Sequence, residues 1–240
     1  MQFTQPSYSL RLLQAIYKAN KAVLEKLKVE KSSSLIGGLK EGATLAELAI
    51  NAKEGDAAWT SLNVLWSELT LPGRPPVLLA LDGLSQVNNV SEYRDPSFNL
   101  VHAHDLTIVR MFFDALGGKT KLPNGGAVIA ACSGDNVRMH PSQTLVLSQL
   151  EAGQAGLEIP KPDPYERKYD NRVYDALKNS YVVRLGGLSQ DEARSLMEYW
   201  GASGLIRKTL NAQTVSEKWT LAGHGNVGEL ERASLQTMRM

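Results

Sequence analysis

The residues best placed to do chemistry stand at the ends of two apolar runs. The stretch "VLLALDGL", residues 77–84, closes its apolar part with Asp82, and "AVIAACS", residues 127–133, ends in Ser133. A buried parallel strand that finishes in an acid can present a carboxylate to the Mg²⁺ of a bound nucleotide. A polar residue at the end of a neighbouring strand can sense a terminal phosphate, because ligands gather at the carboxyl ends of parallel strands. Each residue also has an ordinary explanation. Asp82 before Gly83 suits a cap or tight turn, the stronger reading of that residue alone, and Ser133 opens the turn-forming "SGDN".

A nucleotide would further need a phosphate loop, G-x-x-x-x-G-K-[ST], running from a strand into a helix. The segment "GGKT", residues 117–120, comes nearest, but Phe113 takes the place of the first glycine and the segment leads into "KLPNGG" rather than opening a helix. It reads as a helix stop. His102 and His104 in "VHAHD" alternate as metal ligands on an extended segment can, yet no third and fourth ligand stands at a recognisable spacing. A helix cap at Asp105 beside two polar loop histidines explains them better, and no metal site is expected. No G-x-S-x-G elbow, Cys/His pair or close carboxylate pair marks a catalytic centre.

Charge excludes less than it might. The formal net charge is +1, so any contact with nucleic acid must rest on local patches. One lies in the first 31 residues, where Arg11, Lys18, Lys21, Lys26, Lys28 and Lys31 outnumber Glu25 and Glu30. A solvated helix face accounts for it on charge alone. The single cysteine, Cys132, lies in an apolar run and reads as a small core residue. No apolar run approaches the roughly 20 residues needed to span a bilayer.

The elements that must position these residues are an alternation of helices and strands. Leu12, Leu13, Ile16, Val23, Leu24 and Leu27 recur at helical spacing over about residues 8–28. A second helical region over residues 45–69 is open to a break at Gly55. After "LPGRPP" the run 77–81 is apolar on both alternating faces, as expected of a strand covered on both sides. A long loop leads to a helix with the stripe Leu106, Val109, Phe112, Phe113 and Leu116, stopped by Gly117 and Gly118; a second strand, 127–132, follows. Strand, helix, strand at this spacing predicts a parallel α/β sheet.

"HPSQTLVLSQLEAG" predicts a loop and short helix closing that unit, and the proline-rich stretch 159–169 makes the best internal boundary. The reading is therefore an α/β domain over residues 1–155 and a smaller, mainly helical module over 156–240. In the module come a helix near residues 170–178, a strand "YVVRL", a helix opened by the capping box of Ser189 and Glu192, and a last helix from Asn226.

Six stretches then carry a resemblance: "TQPSYSLRLLQAIYKANKAVL", "GRPPVLLALDGLSQ", "YRDPSFNLVHAHDLTIVRMFFDALGG", "HPSQTLVLSQLEAG", "PKPDPYERKYDNRVYDAL" and "EYWGASGLIRKTL" with the "SEKWTLAGHGNVGELERASL" beyond it. Together they resemble a fungal form of the death-associated protein three family along essentially the whole chain. The resemblance implies an α/β P-loop NTPase domain of AAA-like type followed by a mainly helical module, built into the head of the mitochondrial small ribosomal subunit. It places Asp82 at the acid of the family's second nucleotide motif, Ser133 near its polar sensor position, and makes Arg232 in "GNVGELERA" a sensor candidate. Family members carry a targeting segment, a strand and a P-loop upstream of the point where this sequence starts. The expectation is a chain truncated at its amino terminus, with an incomplete parallel sheet and no cofactor as it stands; GTP with Mg²⁺ is implied only if the P-loop is supplied.

The functional expectation is a structural component of the mitochondrial small ribosomal subunit, in the matrix and off the membrane. Its partners would be small-subunit rRNA and ribosomal proteins rather than further copies of itself. Arg11, Lys18, Lys21 and Lys28 are the residues expected to meet rRNA phosphates, which position a protein without reading sequence. The alternative is a GTP- or ATP-binding hydrolase or switch using Asp82 and Ser133. An open sheet edge further predicts poor solubility of the isolated chain.

Overall fold

A computed structural model describes residues 2–30, 42–52, 55–132, 139–206 and 209–235. Two compact units result, Met1–Val182 and Val183–Met240.

The first unit opens with three helices around one core. Helix α1, Pro6–Leu24, starts with proline in its first turn, where the missing N–H costs nothing. It is kinked at Asn20 (φ −123°, ψ 21°), whose side-chain amide donates to the Ile16 carbonyl at 3.0 Å. Helix α2, Leu45–Ile50, begins with a reciprocal capping box between Thr44 and Glu47. Helix α3, Asp56–Leu69, follows Gly55, whose φ of +88° supplies the break between the two. Leu13, Leu24, Leu45, Leu48, Leu62 and Leu65 are fully buried where the three meet. Beside this core Arg74 Nη2 donates to Glu68 Oε2 at 2.7 Å and to the Lys28 carbonyl at 2.7 Å, and Glu68 is wholly buried.

The chain then forms a parallel pair, β1 (Val77–Leu81) and β4 (Gly126–Ala130), with Val77 opposite Gly126 and Leu81 opposite Ala130. Gly126 is required by close approach: a Cβ there would lie 2.1 Å from the Val77 carbonyl oxygen. Between the strands come α4 (Leu84–Val87), an antiparallel hairpin of β2 (Val90–Arg94) and β3 (Leu100–His102), a 3₁₀ turn (Ala103–Asp105) and α5 (Thr107–Leu116). Helices α6 (Pro141–Ala155) and α7 (Asn171–Leu177) complete the unit. Leu84, Phe113, Val146, Val173 and Leu177 form its second core.

Several sequence expectations change here. The strand 77–81 is covered on one face only: Leu78 is 65% exposed and Ile129 55%, and the register puts Leu78 opposite Ala127 and Ala80 opposite Ile129 on that open face. The described helices close the other side alone. Cys132 is exposed rather than in the core, because β4 ends two residues before it. The supposed loop after Asp82 contains the β2–β3 hairpin, and α6 is 15 residues long rather than short. Beyond the prolines, α7 packs its Val173 and Leu177 with Val146 of α6.

The second unit is helical: α8 (Gln190–Ala202), α9 (Ala212–Leu221) and α10 (Val227–Leu235). Ala193, Met197, Val215, Ala222 and Leu230 are its buried core. The Ser189–Glu192 capping box is present as read from the sequence. "YVVRL" forms no strand; Gln154 of α6 satisfies the backbone of Val182 in both directions, accepting from its N–H at 2.9 Å and donating to its carbonyl at 2.8 Å. No helix among the described residues is long and apolar enough to cross a membrane.

Candidate functional site

Asp82 follows β1 directly and is exposed. Gly83 next to it takes the left-handed conformation (φ 75°, ψ 40°), and the ladder carries on past the turn through Ala131 N–H to the Leu81 carbonyl and Leu84 N–H to the Ala131 carbonyl, each 2.8 Å. Helix α4 has Gly83 as its N-cap and no side-chain cap, so the cap role considered for Asp82 is corrected. Among the described residues its carboxylate has no hydrogen bond or ion pair. Ser133, its expected companion, lies outside the described residues. Arg232 belongs to the second unit, where it pairs with Glu229 on the same helix.

The "GGKT" segment can be tested as a phosphate cradle. Such a loop needs free backbone N–H groups. Here Gly117 N–H donates to the Phe113 carbonyl at 2.8 Å, Gly118 N–H to Ala115 at 3.1 Å and Thr120 N–H to Asp114 at 2.9 Å, while Lys119 Nζ pairs with Asp114 at 3.1 Å. The backbone N–H groups of Gly117, Gly118 and Thr120 and the Lys119 ammonium thus close the end of α5. Among the described residues there is also no group of three or more His, Cys, Asp or Glu that could hold a metal ion.

Beneath the strand ends lies a feature that the sequence reading missed, a buried chain of polar side chains. Gln143 of α6 donates to Ser85 Oγ at 3.1 Å and lies 3.5 Å from Cys132 Sγ; Asn88 donates to Gln143 Oε1 at 3.0 Å; His104 Nε2 meets Asn88 Oδ1 at 2.9 Å. The His104 backbone N–H donates to His102 Nδ1 at 3.1 Å, and His102 Nε2 points toward Asp170 Oδ2 at 3.9 Å without a hydrogen-bond partner. Asn88 and Gln143 are fully buried, and both histidines are only 7% exposed. A shared network of this kind fixes the relative placement of the segments that contribute to it, because each unmet polar group would be costly.

Burial sets the electrostatics. It holds the His104 imidazole down to about 3 and lowers His102 as well, so both rings are neutral near pH 7. Hydrogen bonds from Arg172 hold the Asp170 carboxyl down to about 2. Burial pushes the Cys132 thiol up, which makes it a weak nucleophile. The two polar loop histidines of the sequence reading are thus interior residues, and Asp105 caps no helix: it pairs with Arg110 at 3.5 Å and Arg172 at 3.3 Å. The signal available was the apolar bracket of Val101, Ala103 and Leu106 around "HAHD", all buried.

The basic patch is present on the surface. Arg11 and Lys18, seven residues apart on α1, share one stripe with Lys21 a turn further on, and all three are exposed, as is Lys28 beyond the helix end. Among the described residues, Lys21 alone of the three has an ion pair, with Glu25 at 3.8 Å, and both partners are solvated.

Fold and site together define a mixed α/β protein with a small parallel sheet, an acid at one strand end, a buried polar chain below it and a basic surface helix. The chain belongs to the family described as mitochondrial ribosomal death-associated protein 3, which matches residues 1–233. It is 47% identical over 242 residues to a Neurospora crassa protein named small ribosomal subunit protein mS29, covering 99% of this chain and 52% of that protein. A Schizosaccharomyces pombe protein of the same name is 24% identical over 209 residues, covering 85% of this chain and 41% of its own length. The chain thus spans about half the length of the curated relatives it matches.

Proposed function

We propose that this chain is a structural component of the mitochondrial small ribosomal subunit and contributes to mitochondrial translation from the matrix. The observation that carries the reading is the 47% identity, along 99% of the chain, to the Neurospora crassa protein named for that subunit. The exposed Arg11, Lys18, Lys21 and Lys28 suit rRNA phosphates, and the engaged donors of "GGKT" suit a scaffold better than an enzyme. Sedimentation of mitochondrial lysate in a sucrose gradient tests it: the protein should travel with small subunits, and recovery only in the soluble fraction would sink the idea.

The finer reading of the first unit is part of a P-loop NTPase sheet of AAA-like type, supported by the β1–α5–β4 parallel connection with Asp82 after the first strand. A second functional reading, binding of GTP with Mg²⁺, draws on that exposed carboxylate, which has no partner among the described residues. Labelled GTP binding to the protein in its full-length context, with and without Asp82→Ala, separates the readings. Equal binding, or none, removes Asp82 from any nucleotide site.

A further inference from the structure

The β2–β3 hairpin ends in a tightly hydrogen-bonded tip that presents an aromatic ring. Asp95 organises it: its Oδ1 accepts from the backbone N–H groups of Ser97 and Asn99, each at 2.8 Å, and its Oδ2 from the Asn99 side chain at 3.2 Å. The Asp95 N–H donates to the Asn99 carbonyl at 2.9 Å, the Phe98 N–H donates to the Asp95 carbonyl at 2.9 Å, and Arg94 Nη1 donates to the Phe98 carbonyl at 2.7 Å. These bonds hold Phe98 at φ +65°, a conformation that non-glycine residues rarely adopt and that persists only when its surroundings over-determine it. The ring so held is 78% exposed, and Val90, Tyr93 and Leu100 of the same hairpin are each at least half exposed.

We infer that this hairpin is a docking element whose Phe98 enters an apolar pocket of a partner protein with a basic rim. The charge of the hairpin favours a protein over nucleic acid. Residues 90–100 carry Glu92 and Asp95 against Arg94 alone, and hydrogen bonding lowers the Asp95 carboxyl further, so the tip is anionic. The Arg94 guanidinium is engaged with the Phe98 carbonyl, and the hairpin has no lysine to offer a phosphate. A rigid aromatic presented with its backbone already fixed loses little entropy on insertion, which is how a single ring comes to dominate an interface.

The test puts p-benzoylphenylalanine in place of Phe98 in the protein as it exists in mitochondria, irradiates intact organelles and identifies the adduct by mass spectrometry. The expected adduct joins position 98 to one protein, at an apolar peptide flanked by lysine or arginine. Phe98→Gly supplies the second arm, because glycine suits the positive φ and keeps the hairpin. It should melt no lower than the wild-type protein, yet weaken association with the identified partner at least tenfold. An adduct on rRNA, on a second copy or within the same polypeptide, no adduct, or unchanged association of Phe98→Gly would each overturn the proposal. The reading is taken in whole organelles, so it stands or falls separately from co-sedimentation with small subunits.

Discussion

His104 Nε2 lies 2.9 Å from Asn88 Oδ1, and through Asn88 it reaches Gln143, so one neutral imidazole links the 3₁₀ turn to the segment after α4 and to α6. Nε2–H donates in this link, so a second proton would go to Nδ1, and burial opposes the resulting charge. Its consequence is a stability that depends on acidity.

The imidazole of His104 titrates at 6.5 in an unfolded chain and at about 3 in the fold, so below 6.5 the unfolded state binds a proton that the folded state does not. Stability is therefore complete above pH 6.5 and falls as the pH drops, by about 1.4 kcal/mol per pH unit for this group, levelling near 3. His102, lowered too, acts in the same direction. Asp170 adds a later loss: its contribution is whole above 3.8 and disappears as the pH falls through about 2. Urea midpoints at pH 7 and pH 5 should show the first loss, and His104→Gln should shrink it.

The buried pair of Arg74 and Glu68 gives a second expectation. Removing one partner strips most of the compensation from the other, although Arg74 keeps Glu30 at 3.3 Å, so Arg74→Ala or Glu68→Ala should cost up to about 3–5 kcal/mol. The double change Arg74→Met with Glu68→Leu should recover most of that loss. Denaturant unfolding of the three variants supplies the comparison, and additive losses in the double variant would contradict the pairing.

The open face of the parallel pair concerns solubility rather than stability. Leu78 and Ile129 are more than half exposed, so Leu78→Lys with Ile129→Lys removes little buried area. The variant should unfold within about 0.5 kcal/mol of the parent. Light scattering at rising concentration should show less self-association, because the exposed apolar face has been broken by charge.

For the basic helix the expected readout is salt dependence. Changing Arg11, Lys18 and Lys21 to Gln should weaken binding to small-subunit rRNA and flatten the dependence of log K on log salt by about one unit per lost phosphate contact. Unchanged slope in a filter-binding series would remove α1 from the RNA interface.

How much of this was legible in the sequence depended on whether the signal was local. The break at Gly55, the stop at Gly117 and Gly118 and the capping box of Ser189 and Glu192 each depend on residues within a turn of one another. The parallel pairing of β1 and β4 was readable from two apolar runs around a helix. What escaped was set by distant partners. Tyr181 to Leu185 alternate like a strand, but the side-chain amide of Gln154 takes the N–H and carbonyl of Val182 that a neighbouring strand would need. The β2–β3 hairpin is too polar to stand out and is tied by Asp95 at its tip. The apolar bracket hinted that the histidines are interior, but the polar partner of His104, Asn88, and the Gln143 behind it lie far off in sequence. Helix α9 carries a single buried residue, Val215, too little apolar periodicity to announce itself.

The register of the sheet also has a consequence in time. Val77 pairs with Gly126, so β1 leaves the ribosome that makes it about fifty residues ahead of β4, roughly 2–10 s at ordinary rates of synthesis. During that interval α5 can coil on its own, while the edge of the newborn strand that β4 will take waits unpaired.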